Sequence, residues 1–222
     1  PLGAKRGAIR SAFKSACERF GPTTVAIIAP AIWLSSESYE KQPEDSYFRL
    51  KLPSGPPNPA LAYMVRRASR DLRVTRGKFG KEHRNLVKKF LVRHELTSEQ
   101  KYIFGRIGQY TKCSASACLL EARKEDALVA FIVVDVGSAN YVFYLFCIRS
   151  ADEMVPGATD LLFHEMIRLA ESKGKSAINL GLGINPGNRR FKEKWGGSPF
   201  LQHNAALISS RSFEMGTLMK KL

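Results

Sequence analysis

Apolar residues recur at helical spacing among cations in residues 7–20 (GAIRSAFKSACERF), and Gly21-Pro22 closes the run, which predicts a short amphipathic helix. TTVAIIAPAIWL is rich in β-formers, and SYFRLKL (46–52) alternates as a strand does. PSGPPNP (53–59) contains four prolines and reads as a connector, with Pro59 placed to open a helix. It marks the expected division: an N-terminal extension over 1–58 and a main domain over 59–222.

Beyond the connector the pattern predicts a helix over about 59–70, the strand LRVTR, and helices near 80–95 and 97–110. Leu86, Val87, Phe90 and Leu91 give the first of that pair an apolar stripe, and Thr97-Ser98-Glu99-Gln100 caps the second. SACLLE, ALVAFIVVDV and YVFYLFCI are three β-rich runs with short connections, so they predict an antiparallel meander. A strong helix from Ala158 to Lys173 ends at Gly174; the strand SAINLGL, a short helix from Asn188 to Trp195 and the strand NAALISS complete the order. Antiparallel strands passing into a helix-crossed parallel pair mean an α/β fold: a mixed, mostly antiparallel sheet with flanking helices and an N-terminal α/β extension.

Charge sharpens the picture. The 222 residues carry a formal net charge of +15, a field that attracts polyanions. Between Arg66 and Arg93 eleven Lys or Arg face only two acids, Asp71 and Glu82. A solvated helix face is the bland account of such a run, but the scarcity of acids points to a functional basic surface, with Arg66, Arg67, Arg70 and Arg73 as the polyanion-binding candidates. No run of 18 apolar residues is present to span a bilayer, and Pro1-Leu2-Gly3, which has no initiator Met, is set aside. Cysteines 17, 113, 118 and 147 have neither CxxC nor metal-like spacing, which fits a reduced, cytoplasmic protein without a metal site.

Residues 179–197, NLGLGINPGNRRFKEKWGG, are the richest in candidate chemistry. Gly181, Gly183 and Gly187 invite a dinucleotide-binding reading, but that site needs an acid about 20 residues on, and NAALISS has none. GK[ST] is absent, so a P-loop is excluded too. HEMIR (164–168) has Arg168 where a zinc-protease helix needs its second histidine. Phe191 and Trp195, four residues apart, fit the core face of a short helix as well as they fit a binding role.

The order of elements, with PGATDLLFHEMIRLAESKGKSAINLGLG and then GNRRFKEKWGG, resembles the GNAT acyltransferase superfamily and its Fem-type branch, which includes aminoacyl-tRNA-dependent peptidyltransferases. NPALAYMVRRASRDLRV (58–74) looks like the basic helix that opens these domains, and the resemblance covers about 59–210. Acetyl-CoA enzymes of this superfamily hold the pyrophosphate in a Gln/Arg-x-x-Gly-x-Gly/Ala frame. That frame falls here on Glu153-Met154-Val155-Pro156-Gly157-Ala158, where only Ala158 keeps to the pattern and Pro156 lacks an N–H. A helix N-terminus there still offers amides from Gly157, Ala158 and Thr159 to an anion.

The family's tyrosine acid falls on Lys192, and Phe191-Lys192 is similar to the Phe-Lys pair of Fem-type enzymes. The resemblance implies that Lys192 is catalytic, its ammonium stabilising the oxyanion and the expelled alkoxide of ester aminolysis. Phe191 would stack on a terminal base and Arg189 and Arg190 would bind phosphates. The expected activity is transfer of an acyl or aminoacyl group to a small-molecule or peptide amine, with aminoacyl-tRNA, acyl-carrier protein or acyl-CoA as co-substrate and no tightly bound cofactor. The alternative is a non-catalytic nucleic-acid-binding module on the same scaffold.

Overall fold

The computed structural model describes residues 6–34, 40–41 and 44–209; Pro1-Leu2-Gly3 lies outside them. In chain order the elements are α1 (Arg6–Phe20), β1 (Thr24–Ala29), β2 (Glu40–Lys41), β3 (Asp45–Lys51), α2 (Pro59–Asp71), β4 (Arg73–Gly77), α3 (Lys81–Arg93), α4 (Ser98–Gly105), α5 (Ile107–Cys113), β5 (Ala117–Lys124), β6 (Ala127–Asp135), β7 (Tyr141–Arg149), α6 (Ala158–Ser172), β8 (Ala177–Leu182), α7 (Pro186–Lys194) and β9 (Ser198–Ser209). The chain divides into two compact units, Pro1–Ser46 with Leu201–Leu222, and Tyr47–Phe200. The proline connector therefore lies inside the second unit.

In the first unit β1 and the short β2 both pair antiparallel with β9. Ile27, Leu34, Ala206 and Ile208 form its small core, and Phe13 meets Trp33 edge-on at 6.2 Å. In the second unit the strands run β3-β8-β7-β6-β5-β4. Every neighbouring pair is antiparallel except β7–β8, the pair that α6 crosses between. Strand β6 reads as a continuous apolar run because helices cover both of its faces. Ile132 and Val134 join the core beneath α2 and α6, whereas Phe131 and Val133 join the core beneath α3 and α5.

Local chemistry sets the helix ends. The Asn58 side chain accepts from the Leu61 amide ahead of Pro59, and Thr97 with Gln100 forms the expected capping box. The helix expected over 97–110 is two helices that meet at Arg106. Helix α7 starts at Pro186, two residues before its expected start, because the Asn185 side chain accepts from the Asn188 amide. The last strand, expected at NAALISS, begins at Ser198; Ser210 lies outside the described residues.

Gly157 fixes the start of α6. It caps the helix at φ +83°, and a Cβ there would stand 2.7 Å from the Met64 carbonyl oxygen on α2. At the end of β6, Asp135 accepts hydrogen bonds from the Tyr110 and Ser114 hydroxyls, from Ser116 Oγ at 2.7 Å and from the Gly137 amide at 2.8 Å. Burial opposes ionisation of this carboxyl, but those donors hold it below the usual carboxylate range, while burial and the bond to Asp135 raise the Tyr110 phenol.

Gly157→Ala should cost about 2–3 kcal/mol in urea unfolding, strain and steric clash together. Gly196→Ala, at the same φ of +83° with only Leu50 Cδ1 at 3.6 Å, should cost about 1 kcal/mol. Asp135→Asn should cost about 1–3 kcal/mol at neutral pH. Because the folded carboxyl titrates below its ordinary value, its contribution is complete above about pH 4 and is lost as pH falls through the lower folded value. Stability profiles of wild type and Asp135→Asn should therefore converge on the acid side.

Candidate active site

Strands β7 and β8 pair only at Tyr141–Ala177, Val142–Ile178 and Phe143–Asn179. Past that point β7 stays on β6 and β8 stays on β3, so a wedge opens between two strands that began as neighbours. At the same place β7 carries a bulge: Val133 faces Phe146 and Val134 faces Tyr144, which leaves Leu145 as the extra residue. The bulge breaks the alternation of sides. Val142, Tyr144 and Cys147 all belong to the α6 side, while Phe146 and Ile148 belong to the α3 side.

A groove of about 810 Å³ lies along this part of β7. Its floor includes Tyr144, Cys147 and Arg149; its walls are the first turn of α6 (Gly157, Ala158, Thr159, Asp160), one face of α7 (Asn188, Phe191, Lys194) and the end of α3 (Lys89, Phe90, Arg93, His94). The amide of Ala158 is already donated to the Val155 carbonyl at 3.2 Å, so those of Gly157 and Thr159 are the ones left to meet an anion. The rim is mainly cationic, but parts of it are committed. Lys89 and Arg93 pair with Asp152 at 2.5 and 2.6 Å, and Lys194 pairs with Asp160 at 2.7 Å. Arg149 has no ion-pair partner among the described residues.

Buried Asp160 joins the two walls. Its Oδ1 takes the Lys194 ammonium and also the Trp195 indole N–H at 3.0 Å, which fastens α7 to α6. Trp195 is core, 6% exposed and 5.1 Å from the Phe163 ring centroid. Phe191 packs in the core, its ring edge-on to Phe163 at 5.2 Å, and it also lines the groove. The double glycine then ends α7. Gly196 adopts φ +83°, and a Cβ on Gly197 would meet Leu180 and the Lys192 carbonyl at 2.7 and 2.8 Å.

Lys192 faces the other way. It is 4% exposed, donates to the Leu182 carbonyl at the end of β8, and its ammonium lies 5.7 Å from the Phe48 ring centroid. It does not line the groove, and neither do Arg189 and Arg190, which are exposed on α7. Arg66, Arg67 and Arg70 are exposed on α2 and Arg73 on β4, also outside the groove lining. The structure thus brings Gly157, Ala158, Thr159 and Phe191 together and leaves the arginines apart. Tyr144, Cys147 and Arg149 are among the groove residues that no motif indicated; the bulge that aligns the first two follows from strand register.

Burial pushes both the Tyr144 phenol and the Cys147 thiol up, and both side chains line the groove together with Thr159. Glycines 181, 183 and 187 form no phosphate loop. Gly181 turns at φ +73°, Ile184 follows at φ +63°, and Gly187 lies within α7. His164 and Arg168 border a separate cavity of about 270 Å³ beside the connector, and Arg168 pairs with Glu165 at 3.2 Å. No group of metal-binding side chains is present among the described residues, nor any helix long and apolar enough to cross a membrane.

No family model and no curated protein matches the sequence. Solved structures do match. FemX is similar at TM-score 0.59 and 9% identity, over 89% of this chain and 75% of FemX. A tandem GNAT protein from the clavulanic acid biosynthesis pathway is similar at TM-score 0.55 and 11% identity, over 94% and 72%. The C-terminal DUF2156 domain of a lysylphosphatidylglycerol-synthetase-type protein from Agrobacterium fabrum is similar at TM-score 0.55 and 17% identity, over 93% and 67%. Identities this low speak of the fold, and that fold, with its split sheet and its helix set at the mouth of the split, is the GNAT/Fem-like one.

Proposed function

We propose that the chain is an acyltransferase that moves an acyl or aminoacyl group from a polyanionic carrier (aminoacyl-tRNA, acyl-carrier protein or acyl-CoA) to an amine acceptor. The observation that carries this reading is the wedge. An extended acyl arm fits between diverging strands, where β7 and β8 no longer pair with each other, and the carrier's phosphates meet the Gly157 and Thr159 amides and the cationic rim. The GNAT and Fem-type neighbours support the same class of reaction.

In this reaction the amine nitrogen attacks the acyl carbon, an oxyanion forms, and its collapse expels the carrier's oxygen or sulfur. Orientation and charge stabilisation supply most of the rate, so no enzyme nucleophile is required. Lys192 is the proposed electrostatic catalyst. Its ammonium is fixed and shielded from water at the carboxyl end of β8, where a cation acts on developing negative charge more strongly than one in solvent. Arg66, Arg67, Arg70 and Arg73, exposed and without ion-pair partners among the described residues, form the proposed outer contact with the carrier. Their position outside the groove lining also favours a second reading, a nucleic-acid-binding module without turnover.

The test offers bulk tRNA charged with radiolabelled amino acids, and separately labelled acetyl-CoA, to the protein with a mixture of spermidine and dilysine as amines. Label should move to amine from at least one carrier. Lys192→Met, which keeps the buried aliphatic stem, should slow transfer about 100-fold while carrier binding and melting temperature stay near wild type. Wild-type transfer rates in that variant remove Lys192 from the mechanism. Carrier binding with no transfer by the wild-type protein favours the binding module.

A further inference from the structure

The wedge places one phenol where the acyl group would lie, and no motif accounts for it. Tyr144 is the first residue of β7 past the last β7–β8 pair, and its side chain lines the groove. A β-carbon on Gly181, across the wedge on β8, would stand 4.0 Å from the Tyr144 carbonyl oxygen, so this is the narrow inner end of the opening. The ring is held in place by an edge-on contact with Phe163 at 5.7 Å. The neighbouring bulge at Leu145 turns Cys147 to the same side, where both side chains line the groove. Thr159, on the first turn of α6, lines the same groove, which puts this group beside the proposed phosphate-binding end.

We infer that the Tyr144 hydroxyl is a catalytic hydrogen-bond donor of the wedge, directed at the acyl carbonyl oxygen as it becomes an oxyanion. The inference rests on the acyltransferase reading and gives that reading a residue that touches the reacting atoms. Three facts favour the role. Cys147, the side chain beside it on the groove floor, is a weak acceptor, so it competes little with an oxyanion for the phenol's proton. Burial raises the phenol well above its ordinary value, which keeps its proton in place and makes it a donor and not a base. Burial likewise raises the Cys147 thiol, which leaves it poorly suited to compete as a nucleophile.

The step balances without a further reactant. The amine nitrogen bonds to the acyl carbon and the carbonyl π electrons move to oxygen. Tyr144 bonds to that oxygen and keeps its proton. Collapse re-forms the carbonyl and breaks the bond to the carrier's oxygen or sulfur, which takes up the proton the amine loses.

Tyr144→Phe retains the ring and its contact with Phe163, so it isolates the hydroxyl. With whichever of the two carriers is turned over, kcat should fall about 100-fold with KM near wild type. A second readout needs no turnover. In protein labelled with fluorotyrosine, the fluorine resonance that disappears in Tyr144→Phe should shift when acetyl-CoA or bulk aminoacyl-tRNA is added. An unchanged kcat overturns the role of Tyr144. A resonance that stays in place while other signals report binding overturns it too, and leaves the transferase reading standing. Absence of binding by both carriers, and by an acylated acyl-carrier protein added as the third, overturns the two together.

Discussion

The candidate site depends on the early end of one strand pair. Strands β7 and β8 share three register positions and then diverge, each held by its outer neighbour. Divergence leaves β7 without a β8 partner past Phe143, and a groove lies along that part of it. The opening is kept by what flanks it. Gly157 lets α6 begin against the α2 backbone, and buried Asp160 draws Lys194 and Trp195 of the α7 end onto that same first turn. Helices α6 and α7 are thereby fixed as two walls over a floor of β7.

Much of this was readable from the amino-acid pattern. The connector, the capping box at Thr97, the antiparallel meander and the core role of Trp195 all follow from local rules, because residues close in sequence decide them. The break of the 97–110 helix is marked in sequence only by Gly105, the last residue of α4, and a lone glycine does not by itself end a helix; the two short helices are anchored separately, α5 by buried Ile107. The start of β9 at Ser198 was hidden by Pro199 and the polar residues around it.

The site itself was half legible. Gly157, Ala158, Thr159 and Phe191 line one groove, whereas Arg189 and Arg190 lie outside it and the Ala158 amide is spent on Val155. Tyr144 and Cys147 were not legible, because strict alternation along YVFYLFCI sets them on opposite sides. Only the extra residue in register with β6, Leu145, brings them together. The partners of Asp160 were equally hidden, since Trp195 stands 35 positions away in sequence. Lys192 illustrates a different limit: spacing identifies the residue, but its burial against Phe48 and its bond to Leu182 are properties of the fold.

The central claim is that the acyl donor enters the wedge between β7 and β8. Hydrogen–deuterium exchange with and without acetyl-CoA, and with and without bulk aminoacyl-tRNA, tests it directly. The account predicts slowed exchange in residues 144–149 of β7 and at the Gly157 and Thr159 amides with at least one carrier. Protection confined to the arginine face of α2, with β7 and the first turn of α6 unchanged, would contradict it.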